Sequence, residues 1–471
     1  MNSRKFLGIL VVTIVALAMM VSSCAPAATP APTAPPPTSA PEPTAVPTAA
    51  PEPTAVPTTA PTPTAATAAS TEEFNQYPGV SLNVSRWAGN PWEGSMRDLA
   101  NEWGSKTGAK VNIDAIPYEN MHEKQVLEMS SQTGAYDIVY VHPSWFGEYV
   151  DAGYLLPIDD FLKDPALNPP GFSAEKEYVP SIISLGRRNG KQYCVQDFIA
   201  TVLLAYRTDV FQANGLTAPK SWEDVLADAE KLNGKDGMSG ISLPGKRTGA
   251  VADVMSTLII GTGTWWFDDN GKPALDVKKA AEAIDFYAKA AKFAPEGVLN
   301  FHWDEAGTAA AQGKAAMFIG MSPNSAWLND PARSTTVGKW AFVPLAYKGK
   351  PSGETMYWNW CVAADSKNPK AAYEFLRWFS AGPQQATAAL QTMTGGATND
   401  FYTNTEVMAK LPFFAAVNEA LTNSKPQPSL AEWPQIQDPL ELAVQEAISG
   451  KKTPEQAAQA IRDTLDKVLG K

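Results

Sequence analysis

From about Thr71 onward, apolar positions along the chain switch between a period of two and a period near 3.6. VSLNVSRWA (80–88) alternates as a strand, and SMRDLANEWGSKTG (95–108) then sets Met96, Leu99, Ala100 and Trp103 on one helical stripe that stops at Gly108. AKVNIDAIP (109–117) is strand again, a helix follows over roughly 120–133, and YDIVYVHP (136–143) is a buried strand. This β-α-β-α-β order predicts a sheet of parallel strands with helices on its faces.

A second block begins near residue 196. LLAYRTDVF (203–211) is strand-like, and Ser221, with Asp224 three residues on, caps a helix over SWEDVLADAEKL (221–232). WWFDDNGKPAL (265–275) reads as a hairpin turned at Asn270-Gly271, and VKKAAEAIDFYAKAAKF (277–293) as an amphipathic helix. Asn368 and Pro369 open the helix PKAAYEFLRWFS (369–380), while Thr453, Pro454 and Gln456 start a last helix that runs to about Leu469. Between them lies YWNWCVAAD (357–365). As a strand it points Trp358, Trp360 and Val362 one way and Tyr357, Asn359 and Cys361 the other. Two tryptophans on one face form either a heavy piece of core or a flat platform for a ligand.

The beginning of the chain reads differently. Arg4 and Lys5 precede an apolar run from Phe6 to Val21, and small residues then end at Cys24. A run of about 16 residues is shorter than a bilayer span and fits an export signal. Val21-Ser22-Ser23-Cys24 looks like a bacterial lipobox, with Val21 where the pattern prefers Leu. Residues 1–24 are therefore expected to be a lipoprotein signal peptide, with Cys24 the lipidated first residue of the mature chain. Residues 25–70 are almost wholly Pro, Ala and Thr, including the repeat PEPTAVPTAA (41–50) and PEPTAVPTTA (51–60). Such a segment has too little apolar surface to offset its ordering entropy. At ~3.1 Å per residue it can reach up to ~140 Å as a tether. The rest, 71–471, is expected to lie outside the cytoplasm.

Charge and chemistry narrow the function. The net charge is −11 over 471 residues, and no Lys/Arg run occurs beyond the first few residues, so nucleic acid is not an expected partner. Three histidines without H-E-x-x-H spacing argue against zinc, and no cofactor is expected. G-x-x-x-x-G-K-[ST] is absent, GTGTWW (261–266) lacks the third glycine of a dinucleotide loop, and GMSGI (237–241) fails the G-x-S-x-G test. Acid pairs such as Asp159/Asp160 and Asp268/Asp269 keep a glycoside hydrolase formally open, although adjacent acids in turns are mostly solvated. Beyond Cys24 only Cys194 and Cys361 remain, which allows one disulfide or two separate buried thiols.

Aromatic residues stand out instead: the chain has 14 tryptophans, many at strand ends or in the loops after them. Trp87 and Trp92 flank Gly89-Asn90-Pro91, and His142 and Trp145 follow the third strand. Trp265/Trp266, Trp327, Trp358, Trp360 and Trp433 come later. Ligands of open parallel sheets bind beyond the carboxyl ends of the strands. Sugars suit such a place, because their C–H faces stack on indole while polar side chains bond the hydroxyls.

With these features in view, the chain from about 80 to 471 resembles the bacterial extracellular solute-binding proteins of carbohydrate ABC transporters, the group that includes maltose-binding protein. The resemblance rests on YDIVYVHPSWFGEYVDAGYLLPIDDF (136–161), AYRTDVFQANGLTAPKSWEDV (205–225), AAQGKAAMFIGMSPNSAW (310–327), VAADSKNPKAAYEFLRWF (362–379) and LELAVQEAISGKKTPEQAAQAI (440–461). It implies a two-lobed α/β periplasmic-binding-protein fold with a hinge and an interlobe ligand cleft. Lobe 1 would span about 75–196 and 345–392, and lobe 2 about 197–344 and 393–471, with crossings near 195–199, 344–350 and 391–397. It also implies ligand contacts at Asn90, Trp92, Glu93, His142, Trp145, Asp197, Trp327 and Trp433. Trp265, Trp266, Trp358 and Trp360 join that set on their chemistry, with Trp358 the outer and Trp360 the inner residue of its strand. The same placement puts Cys194 and Cys361 on hinge-side strands of one lobe, where a bridge is feasible. The implied protein is a monomer without catalytic activity that delivers a sugar to permease subunits and is held to the membrane by its lipid. The same fold can hold a polyamine, a peptide or a glycerol phosphate.

Overall fold

The chain divides at Ala69/Ser70. The computed structural model describes residues 74–470 of the second unit, apart from 89–91, 269 and 431. The expected signal, Cys24 and the tether lie outside the described residues, as does Asn90.

In chain order the first block is β1 (Ser81–Trp87), α1 (Trp92–Thr107), β2 (Lys110–Ile116), α2 (Tyr118–Ser130), β3 (Ile138–Val141), α3 (Pro143–Asp151) and the short β4 (Cys194–Val195). The second is β5 (Ile199–Ala200), β6 (Val202–Arg207), α4 (Trp222–Leu232), α5 (Gly249–Thr262), α6 (Val277–Ala291), α7 (Trp303–Ala311), β7 (Met317–Met321), β8 (Trp340–Tyr347) and β9 (Lys350–Tyr357). After β10 (Asn359–Val362) come α8 (Pro369–Phe379), α9 (Gly382–Thr392), α10 (Phe413–Leu421), β11 (Ser424–Pro426), α11 (Trp433–Ile448) and α12 (Pro454–Leu469). Helix starts follow local chemistry. The Asp224 N–H donates to Ser221 Oγ at 3.2 Å, Pro369 opens α8, and Thr453 and Gln456 form a reciprocal capping box.

Two sheets organise two lobes. In the first, of order β2-β1-β3-β10-β4, strands β1, β2 and β3 run parallel and β10 enters antiparallel to both neighbours. The stripe on α1 packs here: Trp103 is fully buried and meets Phe375 of α8 edge-on at 5.3 Å. In the second, of order β11-β9-β8-β6-β7, β5 pairs with β9 off the main path. Its core gathers Trp222, Trp266, Phe286 and Tyr287 from α4, α5–α6 and the loop between.

Three chain crossings join the lobes. The first is 196–198, between β4 and β5. The third runs beside it: the N–H groups of Ile199 and Val179 donate to the carbonyls of Gly395 and Ala397, each at 3.0 Å. The second does not lie at 344–350 as expected. Residues 345–357 stay in the second sheet, and the chain leaves it at Trp358, between β9 and β10. The reason is local. Tyr347 and Lys350 are paired across a two-residue turn whose residues, Lys348 and Gly349, have φ of +49° and +76°. That is the twist-matched hairpin conformation, which returns the chain within its own sheet. Helix α9 also spans the division, touching α1 on one side while Ala386 and Ala389 cluster with Leu203 and Phe414 of the second lobe.

Candidate functional site

The parallel strands of the first sheet end together, and each delivers an aromatic group to that edge. Trp87 closes β1. Tyr118 opens the helix after β2, and His142 caps the helix after β3, three residues ahead of Trp145. Trp358 arrives at the same edge because β10 runs antiparallel and so begins where β3 ends, with Asn359 paired to Val141. The rings form one group. Trp358 stacks on Trp87 at 5.8 Å and meets His142 at 4.9 Å and Trp145 at 5.9 Å. Tyr118 stacks on Trp145 at 5.8 Å and is 45% exposed, so the group opens to solvent on that side.

Beneath it, Tyr140 is held between Trp358 at 4.7 Å and Trp360 at 4.1 Å. Trp360 is fully buried, with Phe379 edge-on at 5.5 Å, whereas Trp358 keeps partial exposure. The two tryptophans of YWNWCVAAD thus share a face but not an environment: one is at the open edge, the other is core.

Polar groups line the hinge behind these rings. Arg86 of β1 is 3% exposed, lies 5.6 Å from the Tyr140 ring, and is drawn toward ionisation by Asp197 even though burial lowers its pKa. Asp197 sits in the first crossing. Burial raises its carboxyl to about 6, against the pull of the Trp360 indole, Arg86 and its own backbone N–H. The indole N–H lies near enough to favour the charged carboxylate without reaching hydrogen-bond geometry. Burial depresses His142 to about 4, so it is a neutral ring near pH 7. Its Nδ1 pairs with Ser144 Oγ at 2.7 Å.

Not every residue expected to touch solute belongs to this group. Trp266 is 1% exposed and its indole N–H donates to Ser256 Oγ at 2.9 Å. Trp433 packs 5.9 Å from it, and Trp265 is likewise buried beside them. These three are core residues of the second lobe, because the loop after α5 and the start of α11 fold over the same apolar face. Trp327 lies in that lobe with the Arg333 guanidinium 4.8 Å from its ring, and Glu93 is held by Arg97 at 2.8 Å. Trp92 begins α1. Conversely, Tyr118, Tyr140 and Arg86 were not in the expected set. Tyr118 follows a predicted strand directly, the same positional signal that marked His142 and Trp145.

Cys194 and Cys361 are joined by a disulfide, with Cα atoms 4.3 Å apart and the two residues directly paired across β4 and β10. A cavity of about 790 Å³ is lined by residues between Asp159 and Gln192 of the first lobe and by none of the aromatic group. Among the described residues no cluster of three His, Cys, Asp or Glu is placed to hold a metal ion. None of the described helices is long and apolar enough to cross a membrane.

Two lobes, three crossings and an aromatic edge beside the hinge define a solute-binding architecture of the periplasmic type. The chain belongs to the bacterial extracellular solute-binding protein family, whose model matches residues 89–386. It is 25% identical over 390 residues to a probable ABC transporter-binding protein of Deinococcus radiodurans, covering 79% of this chain and 90% of that one. A mannitol-binding protein of Pseudomonas aeruginosa is 24% identical over 295 residues, 61% of this chain and 63% of its own length. Among solved structures, a ribitol-bound ABC transporter solute-binding protein of Agrobacterium radiobacter superposes with a TM-score of 0.69 at 26% identity, over 83% of this chain and all of the other. Maltose-bound MalE3 of T. maritima gives a TM-score of 0.71 at 20% identity over the same shares, a likeness of fold. The chain is a solute-binding protein of an ABC transporter.

Proposed function

We propose that the solute is a neutral sugar or sugar alcohol, taken up between the lobes against the edge formed by Trp358, Trp145, Trp87 and Tyr118. The observation that carries this reading is that aromatic edge, open on the side of Tyr118 and lying at the carboxyl ends of β1, β2 and β3. Indole and phenol faces cover the C–H surface of a polyol, and Asp197 and neutral His142 supply acceptors and donors for its hydroxyls. Closure about the three crossings would then trap the solute, and the closed form would dock on the permease. The relatives described as binding mannitol or ribitol, and the one bound to maltose, support the same ligand class.

The protein acts as a monomeric receptor without turnover. It is carried on the outer side of the membrane by lipid on Cys24 and the 25–70 tether, after removal of the signal peptide. The test is to follow tryptophan emission and melting temperature of the full-length protein with ribitol, mannitol, maltose, spermidine and glycerol 3-phosphate, and to analyse the solution for products. A sugar or polyol that raises the melting temperature and is recovered intact supports the reading. A response to spermidine or glycerol phosphate alone refutes it. Mass analysis of the membrane-extracted chain reads the lipid at Cys24, and Cys24→Ala should release the protein from the membrane.

A further inference from the structure

Behind the aromatic group, at the hinge, is a small pocket of about 20 Å³ walled by β1, α1, α8, α9 and the first and third crossings. Met96, Phe379 and Ala388 supply its apolar lining, and Arg86, Ser95, Asp197, Gln385, Thr392 and Thr394 its polar lining. One water requires ~10–15 Å³ of such space and two to four polar partners. The volume therefore meets the requirement for one water.

The buried polar atoms around this space have a telling count. Arg86 Nε and Nη1 are two donors and Gln385 Oε1 and Asp197 Oδ1 are two acceptors, and all four are buried without a hydrogen-bond partner among the described residues. Arg86 is 3% and Gln385 2% exposed, so bulk solvent does not serve them. Thr392 is already engaged, donating to the Ala388 carbonyl at 2.9 Å and bonded to Thr394. Leaving four buried polar atoms unmet is costly, which is why native interiors seldom do so. One water accepts twice and donates twice, so it can serve all four of these atoms at once. A solute hydroxyl has only one hydrogen to give and would leave one acceptor unmet.

We propose that this cavity is the site of one structural water that clasps β1 to the first crossing and to α9, the helix that leads into the third crossing, through Arg86, Asp197 and Gln385. The site joins the lobe 1 sheet to the first crossing and to the helix that precedes the third. Its hydrogen bonds therefore hold the hinge in register. The arrangement does not depend on which solute the aromatic edge takes.

The first test is a crystal structure of the full-length protein, without added solute, at a resolution that shows ordered water. The expected result is one oxygen within hydrogen-bond distance of Arg86 Nη1 and Gln385 Oε1. A dry cavity, or an Arg86 side chain turned into direct contact with Asp197, overturns the proposal. The second test is Gln385→Met, which keeps the side-chain length and removes the acceptor. It should lower the melting temperature measured without solute by about 2–6 °C, the loss expected for one buried hydrogen-bond partner. Affinity for whichever of ribitol, mannitol or maltose binds should stay within threefold. An unchanged or raised melting temperature overturns the proposal, as does a tenfold loss of affinity at unchanged melting temperature, which would give the oxygen to the solute. If none of the three probes binds, the ligand reading fails while the structure and the melting temperature still decide the water site.

Discussion

The disulfide offers a quantitative test of how the two lobes depend on each other. Cys194 and Cys361 are 167 residues apart, yet both belong to the first sheet, and nearly all of the chain between them is the second lobe. If the protein unfolds as one unit, the bridge closes that whole loop in the denatured state, and the chain-entropy relation gives about 5 kcal/mol of stabilisation. If lobe 1 melts while lobe 2 stays folded, the loop is much shorter. Ile199 and Tyr357 remain paired across β5 and β9. The free chain is then Cys194 to Ile199 plus Tyr357 to Cys361, about nine residues, and the same relation gives about 2.6 kcal/mol. The perturbation is Cys194→Ala with Cys361→Ala, compared with the oxidised wild type by guanidinium unfolding of the full-length protein. Thiol titration of the denatured, unreduced wild type should find neither cysteine free. A loss near 5 kcal/mol in a single transition means coupled lobes. A loss near 2.6 kcal/mol confined to the first of two transitions means independent ones. If the bridge is present and its removal changes stability by less than about 0.5 kcal/mol, the loop-closure reasoning is wrong for this protein.

Four further outcomes are expected. Trp360→Ala should cost about 3–5 kcal/mol of stability because it empties a fully buried indole site; Trp358→Ala should cost less stability but weaken binding of the responding sugar or polyol about tenfold, read by fluorescence titration. With Asp197 raised to about 6, its ionised form is disfavoured in the folded state, so this contribution to stability falls as pH rises from about 4 to 6. Asp197→Asn should therefore be more stable than wild type above pH 6, by about 1–2 kcal/mol, and lose that advantage below pH 4; an advantage at pH 3 equal to that at pH 7 would refute the assignment. His142 has the opposite sign: held neutral to about 4, it contributes fully above its unfolded value near 6.5 and loses that contribution as pH falls toward 4. Melting curves of His142→Gln should be flatter than wild type over that window.

Much of the fold was legible because it rests on local rules. The β-α-β-α-β order, the Ser221 cap and the Thr453–Gln456 box each depend on residues within a few positions of one another. The displaced second crossing was a miss of the same local kind, since the two-residue turn at Lys348-Gly349 is visible in the sequence. The bridge was not decidable, because the register that faces Cys194 with Cys361 is made by strands from two distant segments. That Trp265, Trp266 and Trp433 lie apart from the aromatic edge was hidden for a similar reason. Their loops look like strand-end loops in sequence, and only the fold shows that all three turn into the second lobe.

The pair Trp358 and Trp360 shows where reading by periodicity stops. Alternation correctly gives them one face, but burial depends on how far along the strand each sits and on what covers it. Trp360 lies inside β10, under Phe379 of α8, so tertiary packing closes over it. Trp358 is the single residue between β9 and β10, at the point where the chain leaves one lobe for the other. A residue there cannot be buried by one lobe alone without fixing the crossing to that lobe. Its indole instead rests on Trp87 and Tyr140 and keeps part of its surface open. On the proposed function, the large aromatic ring at this crossing has a use that core packing does not supply: it would present stacking surface at one of the three places where the lobes are joined.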